Sequence, residues 1–221
     1  MLSLTDLIQE YPTPSGPRRV LDGISLTLDI GDAVVVSGPA GSGRSTLLAV
    51  AAGLEAPTSG RVLFDGTDPY ALDPDARAGF RNREVGVVSR DRDLLPQLTV
   101  LENVMVPMLA GDRDPDARDR ARVLLTAVGL EGRANQRPAR LSADERLRTA
   151  IARALVRSPR LLLCDEPTAD ADGPDAGALA DLLLRLQARH HTMLLVTTGD
   201  ADLASRFSRR LVLAGGRLAE D

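Results

Sequence analysis

Apolar and polar residues alternate along several stretches of this chain, and such alternation predicts half-buried β-strands. The clearest example is the stretch 24–30, which reads Ile-Ser-Leu-Thr-Leu-Asp-Ile. Continuous apolar runs such as 33–36 and 193–197 predict strands that are buried on both faces. The predicted strands cover 2–10, 24–30, 33–36, 61–66, 85–88, 161–166 and 193–197, and a hairpin is predicted over 211–218.

Helical spacing of apolar residues separates these strands, and in the middle of the chain the strand signals vanish. Helices are predicted over 45–52, 74–83, 100–109, 115–128, 143–156, 173–189 and 201–207. The pattern therefore predicts a single α/β domain over residues 1–221. Residues 1–89 and 157–221 would form its core, and residues 90–156 an inserted helical lobe.

A glycine-rich loop, residues 38–46, joins the predicted strand 33–36 to a predicted helix. The loop fits the phosphate-binding pattern G-x-x-x-x-G-K-[ST], except that Arg44 stands in the place of the lysine. Glycines allow backbone N–H groups to turn toward an anion, and the start of a helix adds to the attraction. Ser45 would hold Mg²⁺. The predicted phosphate-binding residues are Gly38, Gly41, Ser42, Gly43, Arg44, Ser45 and Thr46.

All 27 basic residues are arginine, because the chain contains no lysine. One explanation of Arg44 is therefore an exchange of lysine for arginine along the whole chain. The two side chains are nevertheless not equivalent in a tight loop, since a guanidinium group is a wide planar fork and an ammonium group is a compact point charge. We therefore expect Arg44 to fit bound phosphates poorly.

The net charge is −4 with both signs interspersed, which argues against a nucleic-acid-binding face. No apolar run approaches the length of a membrane span, and the first residues lack a signal pattern. We therefore expect a cytosolic protein that needs a partner for any role at a membrane. Cys164 lies inside an apolar run and is expected to be a buried small hydrophobic residue without chemistry.

Two carboxylates, Asp165 and Glu166, end a predicted apolar strand. An acidic pair at such a position can be a solvated turn, but in a chain with a phosphate loop it predicts the second half of a nucleotide site. Asp165 is expected to reach Mg²⁺, and Glu166 is expected to polarise an attacking water.

Three further stretches are LLPQLTVLENV at 94–104, AIARAL at 150–155 and DEPT at 165–168. Together with the phosphate loop, they resemble the nucleotide-binding subunits of ABC transporters, most of all the lipoprotein-releasing and macrolide-exporter branch. The resemblance implies a P-loop, RecA-like core with an antiparallel β subdomain and an inserted helical ABC-type lobe. It also implies that Tyr11 stacks on adenine and that Asp172 is the aspartate of the D-loop.

The cofactors that this resemblance implies are ATP and Mg²⁺. The implied partners are membrane permease subunits and a second nucleotide-binding subunit, which makes either a homodimer or a heterodimer. The implied location is the inner face of the plasma membrane, where the protein would be peripheral.

Several family motifs are altered in this chain. The Q-loop glutamine corresponds to Arg90, and the switch histidine corresponds to Thr198 or Gly199, neither of which can hold a γ-phosphate as an imidazole does. The signature LSGGQ corresponds to Leu141, Ser142, Ala143, Asp144 and Glu145.

In the family, the signature glycines present N–H groups to the γ-phosphate bound by the other subunit, so Asp144 would put a carboxylate beside that phosphate. Two unit charges about 4 Å apart repel by about 4 kcal/mol at an effective dielectric constant near 20, unless the side chain turns away. We therefore infer a degenerate subunit that binds ATP weakly and hydrolyses it slowly or not at all. The alternatives are an active transporter ATPase that tolerates these changes and a regulatory scaffold outside transport.

Guanidinium groups form paired hydrogen bonds with carboxylates. We therefore expect Arg44 and Arg90 to converge on Asp165 and Glu166 in the free protein, where they would occupy the space of Mg²⁺ and phosphate. The alternative is that the two arginines form ordinary surface ion pairs elsewhere.

Overall fold

A three-stranded antiparallel sheet and a six-stranded mixed sheet organise this protein, whose computed structural model describes residues 1–110, 114–169 and 175–221. The strands are β1 (Leu2–Tyr11), β2 (Arg18–Leu28), β3 (Ala33–Ser37), β4 (Ser59–Phe64), β5 (Val85–Val88), β6 (Leu161–Asp165), β7 (Met193–Thr198), β8 (Arg209–Ala214) and β9 (Arg217–Glu220). The α-helices are α1 (Arg44–Ala51), α2 (Pro74–Glu84), α3 (Val100–Met105), α4 (Ala117–Ala127), α5 (Ala143–Leu155), α6 (Ala176–His190) and α7 (Ala201–Ala204). Short 3₁₀ helices cover Pro69–Ala71, Val106–Leu109, Glu131–Arg133 and Pro138–Arg140.

The antiparallel sheet has the strand order β2-β1-β4. Strand β1 includes Tyr11, one residue beyond the predicted end, and β2 begins at Arg18 and not at residue 24. The difference arises because Tyr11 pairs with Arg18 across the proline-containing turn, and this pairing lengthens both strands toward the turn. Tertiary pairing therefore overrides the local turn signals at this point.

The mixed sheet has the order β5-β6-β7-β3-β8-β9, in which only β9 runs antiparallel to its neighbour. Val34 and Val36 pack into one hydrophobic cluster, and Val35 packs into the other. Successive residues of β3 thus face two different cores, as expected for a parallel strand covered on both faces. The predicted α/β fold with an antiparallel subdomain is confirmed.

Between β5 and β6 the described residues form helices and loops, with α3, α4 and α5 packed together. Leu125, Leu147 and Ile151 are fully buried there, in the same cluster as Cys164 of β6. As expected, Cys164 is completely buried, and this burial raises the pKa of its thiol well above the usual range. None of the described helices is both long and apolar enough to cross a bilayer. Helix α6 begins at Ala176, and residues 173–174 of the predicted helix lie outside the described residues.

The fully buried Asn103 of α3 fixes the loop that precedes this helix. Its Oδ1 accepts a hydrogen bond of 2.7 Å from Leu95 N. Its Nδ2 donates to the carbonyl oxygens of Leu95, Leu98 and Thr99 at 3.0, 3.2 and 3.0 Å. One amide therefore satisfies backbone groups along most of this loop.

We expect Asn103→Ala to lower the free energy of unfolding by about 2 kcal/mol or more, because it strands several backbone polar groups. The matched control is Asn135→Ala at an exposed position, which should change that free energy by no more than about 0.5 kcal/mol. Denaturant unfolding of both variants measures the difference. Equal unfolding midpoints would show that the loop does not depend on this amide.

Candidate functional site

The carboxyl ends of β3, β6 and β7 bring the phosphate loop and the two carboxylates to one edge of the mixed sheet. The parallel register pairs Asp165 with Thr197 and Ser37 with Thr198. The loop follows directly after β3, and Glu166 follows directly after β6. Ligands of open α/β sheets bind at this edge.

The phosphate loop has the backbone geometry of an anion cradle. Gly38 has a φ of 153°, and a Cβ at that residue would collide with the carbonyl oxygen of Leu213. Gly43 has a φ of 105° and precedes α1, where no side chain caps the helix and no acidic residue stands in the first turn. The first N–H groups of α1 are thus available to an anion.

A cavity of about 480 Å³ opens over this cradle. The loop lines one part of it, and Arg18, Val20, Arg90, Glu166 and Ala169 line the rest. Arg18 was not predicted to belong to the site, because no motif includes it. The available signal was the pair of arginines directly after the proline-rich turn.

Arg44 forms an ion pair with Glu166 across the cavity, through Nη2 and Oε1. The two side chains are only 9% and 15% exposed. The other carboxylate oxygen, Oε2, accepts a hydrogen bond of 3.0 Å from Gly199 N. Both oxygens of Glu166 are therefore engaged, and the expected approach of Arg44 to this carboxylate is confirmed.

Two buried atoms of the loop have no hydrogen-bond partner among the described residues. They are Arg44 Nη1 and Ser42 Oγ. A buried donor without a partner is unfavourable, and a phosphate oxygen in the cavity is a suitable acceptor for both. These residues therefore fit the phosphate groups of a nucleotide.

Asp165 forms no ion pair with an arginine within the described residues. Its Oδ1 accepts a hydrogen bond of 2.7 Å from Thr197 Oγ1, because Thr197 lies beside it in the register of β6 and β7. Arg90 is exposed, and no ion pair or hydrogen bond among the described residues joins it to Asp165 or Glu166. The expected convergence of Arg90 on these carboxylates, and of Arg44 on Asp165, is therefore wrong.

Oxygen donors for a divalent cation are few at this edge of the sheet. The hydroxyl of the exposed Ser45 and the carboxylate of Asp165 are the predicted ligands, and Mg²⁺ often takes only one or two carboxylates. The described residues contain no cluster of three or more His, Cys, Asp or Glu suited to a metal. Glu166 is already bound by Arg44, and Arg90 brings another cation to the cavity, so the residues present fit a divalent cation poorly.

Tyr11 lies beside the loop through its hydroxyl group. The Tyr11 Oη donates to Glu55 Oε2 at 2.9 Å and lies 3.4 Å from Thr46 Oγ1. Burial raises the pKa of this hydroxyl, which keeps it protonated as a donor. Glu55 also accepts from Gln9 Nε2 at 2.8 Å, and its part in holding Tyr11 was not predicted, because no spacing signal connects the two residues.

The two candidates for the switch position face different surroundings. Thr198 is fully buried, and its Oγ1 accepts a hydrogen bond from Asp200 N. Gly199 is exposed, and a Cβ there would lie 3.6 Å from Arg44 Nη2 and 3.9 Å from Glu166 Oε1. A side chain at residue 199 would therefore reach toward the ion pair.

The altered signature segment starts α5 with a complete capping box. Ser142 Oγ accepts from Glu145 N at 3.1 Å, and Glu145 Oε2 accepts from Ser142 N at 2.9 Å. The second of these bonds lowers the pKa of Glu145. Ala143 is the first residue of the helix.

Asp144 turns toward its own helix. Its Oδ2 accepts a hydrogen bond of 2.6 Å from Arg148 Nε, one turn further along α5. Its Oδ1 is buried without a partner among the described residues. The repulsion expected from Asp144 applies to an unpaired carboxylate, and pairing with Arg148 reduces it. Asp172 lies outside the described residues.

Known proteins similar to this chain are ATP-binding proteins of ABC transporters. A family model described as ABC transporter matches residues 21–169. The lipoprotein-releasing system ATP-binding protein LolD 1 of Rhodopirellula baltica is 44% identical over 219 residues, which cover 99% of this chain and 96% of the relative.

Solved structures give the same similarity. The dimeric bacterial ABC transporter cassette MJ0796 matches with a TM-score of 0.88 and 31% identity, over 100% of this chain and 98% of that one. The post-hydrolysis dimer of MJ0796 with ADP and Pi has a TM-score of 0.88, 30% identity and the same coverage. The cbiO1 protein of Clostridium perfringens, part of the transporter complex cbiONQ, has a TM-score of 0.83 and 25% identity over 99% and 86% of the chains.

The geometry of the cradle predicts a rank order for two glycine substitutions. We expect Gly38→Ala to lower the free energy of unfolding more than Gly41→Ala, because only the first places a Cβ against a backbone oxygen. Gly41 has a φ of 76° with open space around it, so its cost should be about 1–2 kcal/mol of backbone strain. Denaturant unfolding measures both values, and equal losses would contradict the close approach of Leu213.

Proposed function

This chain belongs to the ABC transporter family, as an ATP-binding subunit similar to LolD, and we propose that it hydrolyses ATP slowly or not at all. The observation that carries this proposal is the Arg44–Glu166 ion pair. Arg44 stands where a phosphate-binding lysine is expected, and Glu166 stands where the residue that polarises water is expected. The guanidinium group of Arg44 and the carboxylate of Glu166 therefore bind each other, and each is less available to phosphate or water.

The chemistry of the proposal follows from the contacts of Glu166. A general base must reach a water with a free carboxylate oxygen. Here Oε1 accepts from Arg44 and Oε2 accepts from the N–H of Gly199, so both oxygens are held in place although each retains a lone pair. Charge-assisted hydrogen bonds of low exposure are among the stronger ones, so turning this carboxylate away from Arg44 and toward an attacking water is unfavourable.

The residues that bind the nucleotide are the cradle and its neighbours. When bound, ATP supplies the phosphoanhydride bond and the charge that these residues recognise. The first N–H groups of α1, Ser42 Oγ and Arg44 Nη1 would donate to phosphate oxygens, and the ring of Tyr11 would contact the adenine. We propose that binding is weak with Mg²⁺ present, because Arg44 must divide its donors between phosphate and Glu166 and because the cavity fits a divalent cation poorly.

We further propose that the protein works at the inner face of the plasma membrane, with permease subunits and a second nucleotide-binding subunit. Support comes from LolD 1, which is named for a lipoprotein-releasing system, from cbiO1, which is part of a transporter complex, and from the dimeric cassettes of MJ0796. The altered loop and the altered signature segment would contribute to different composite sites of a dimer. Both sites would therefore be affected, even opposite an intact partner.

The second candidate is an active transporter ATPase. It is favoured by the pairing of Asp144 with Arg148, which removes much of the charge that would oppose dimer closure. It is also favoured by the 44% identity to LolD 1 and by the retained Asp165, Glu166 and Ser45. Turnover measurements distinguish this candidate from the degenerate subunit.

With Mg²⁺ present, ATP is expected to bind with a dissociation constant well above the micromolar range. The reasons are that Arg44 is shared between phosphate and Glu166 and that the cavity fits a divalent cation poorly. Isothermal titration calorimetry of the full chain measures this constant. Arg44→Lys should tighten binding, because a compact ammonium group fits the loop better. Submicromolar binding by the unaltered chain would remove the argument from Arg44.

Reversal of the altered motifs is expected to show a hierarchy, because residues that act together are strongly non-additive. Arg44→Lys alone should leave turnover near background. Turnover of about 1 per second or more should need the combined set. That set is Arg44→Lys, Arg90→Gln, Ala143→Gly, Asp144→Gly and Gly199→His.

Steady-state phosphate release from each variant measures this hierarchy, with Glu166→Gln in the combined background as the control that should abolish turnover. Turnover of about 1 per second from the unaltered chain, or from Arg44→Lys alone, would favour the active ATPase and reject the degenerate subunit.

A further inference from the structure

The cavity over the phosphate loop carries an excess of positive charge. Three arginines line it, Arg18, Arg44 and Arg90, and one acidic residue, Glu166. The excess of two unit charges equals the charge of one Mg²⁺ ion. A ligand that balances it is a polyanion with several negative groups close together.

Two of these guanidinium groups are available at the mouth of the cavity. Arg18 and Arg90 are exposed, and neither side chain forms an ion pair or a hydrogen bond within the described residues. The neighbouring Arg19, in contrast, is paired with Glu10 and Asp22 at 2.9 and 2.8 Å. The acidic partners near β2 thus engage Arg19 and leave Arg18 open to a ligand.

The third guanidinium group reaches the floor of the cavity. The side chain of Arg44 is 9% exposed, and its buried Nη1 has no partner among the described residues. Ser42 Oγ is a second buried group without a partner at the same loop. Both residues line the cavity together with Arg18 and Arg90, and both atoms can donate to an anion bound against the loop.

The same residues disfavour a divalent cation. Guanidinium groups have no acceptor, so they bind phosphate oxygens and cannot ligate a metal. Both oxygens of Glu166 are engaged, and Oδ1 of Asp165 is engaged by Thr197. A metal ion in this cavity would meet more cationic than anionic side chains.

We propose that the site binds a nucleoside triphosphate without a divalent cation, with Arg18 and Arg90 neutralising the phosphates in place of Mg²⁺. This inference rests on the proposed nucleotide-binding role of the loop. Guanidinium groups can bind phosphate in a bidentate manner, so the two arginines supply geometry as well as charge. The nucleoside part of the ligand follows from the proposed role of the loop, beside which the hydroxyl of Tyr11 lies 3.4 Å from Thr46 Oγ1.

The test is a titration of the full chain with an ATP analogue that carries an N-methylanthraniloyl fluorophore, at equal ionic strength in EDTA and in Mg²⁺. We expect the dissociation constant in EDTA to be equal to or smaller than that in Mg²⁺. The double variant Arg18→Gln, Arg90→Gln should weaken binding in EDTA by about tenfold or more, since it removes two charge-assisted contacts, and should make binding depend on Mg²⁺. The matched control is Arg61→Gln, an exposed arginine of β4 that lines a different cavity and should change neither constant.

Three outcomes would overturn the inference. The first is binding that Mg²⁺ tightens in the unaltered chain. The second is a double variant that binds in EDTA as the unaltered chain does. The third is displacement of the analogue by inorganic tripolyphosphate as readily as by ATP, which would reject the nucleoside. Rapid turnover with Mg²⁺, together with a dissociation constant in EDTA that is equal to or smaller than that in Mg²⁺, would contradict only the proposed slow hydrolysis.

Discussion

The parallel register of β3, β7 and β6 is the constraint on which the site depends. It aligns Ser37 with Thr198 and Asp165 with Thr197, so that a loop near residue 40 and carboxylates near residue 165 meet at one sheet edge. The cores on both faces of the sheet hold this register, since a shift of one residue would exchange the faces of Val34 and Val35. The Arg44–Glu166 pair is thus a consequence of sheet packing, because the register of β3, β7 and β6 brings the two residues together.

The type of basic residue determines which contacts form at this edge of the sheet. A chain whose basic residues are all arginine has only wide, planar cations to offer. In the loop, such a cation is long enough to reach Glu166 and retains a second, buried nitrogen without a partner among the described residues. In α5, the same residue type neutralises Asp144 one turn away. The shared feature is that arginine binds a carboxylate at two of the altered motifs, the phosphate loop and the signature segment.

Much of the fold could be predicted from particular residues. Continuous apolar runs identified the buried strands, and the glycines at 38 and 43 identified the loop, because few other sequences satisfy its backbone geometry. The pairing of Arg44 with Glu166 was expected from charge. The position of Arg90 was not expected, since it depends on where an exposed side chain points. The hydrogen bond from Thr197 to Asp165 was not expected either, since it depends on how neighbouring strands align. Arg18 and Glu55 belong to no motif, so only the tertiary structure brings them to the site.

The intrahelical pairing of Asp144 with Arg148 has a consequence for how such a chain changes over time. A second subunit that faced the start of α5 would meet a carboxylate already neutralised within its own helix. Its surface would then need no compensating cation, and the two chains could diverge independently at this contact. A charge introduced in one chain can in this way be compensated within that chain, so that no matching substitution is needed in the partner chain.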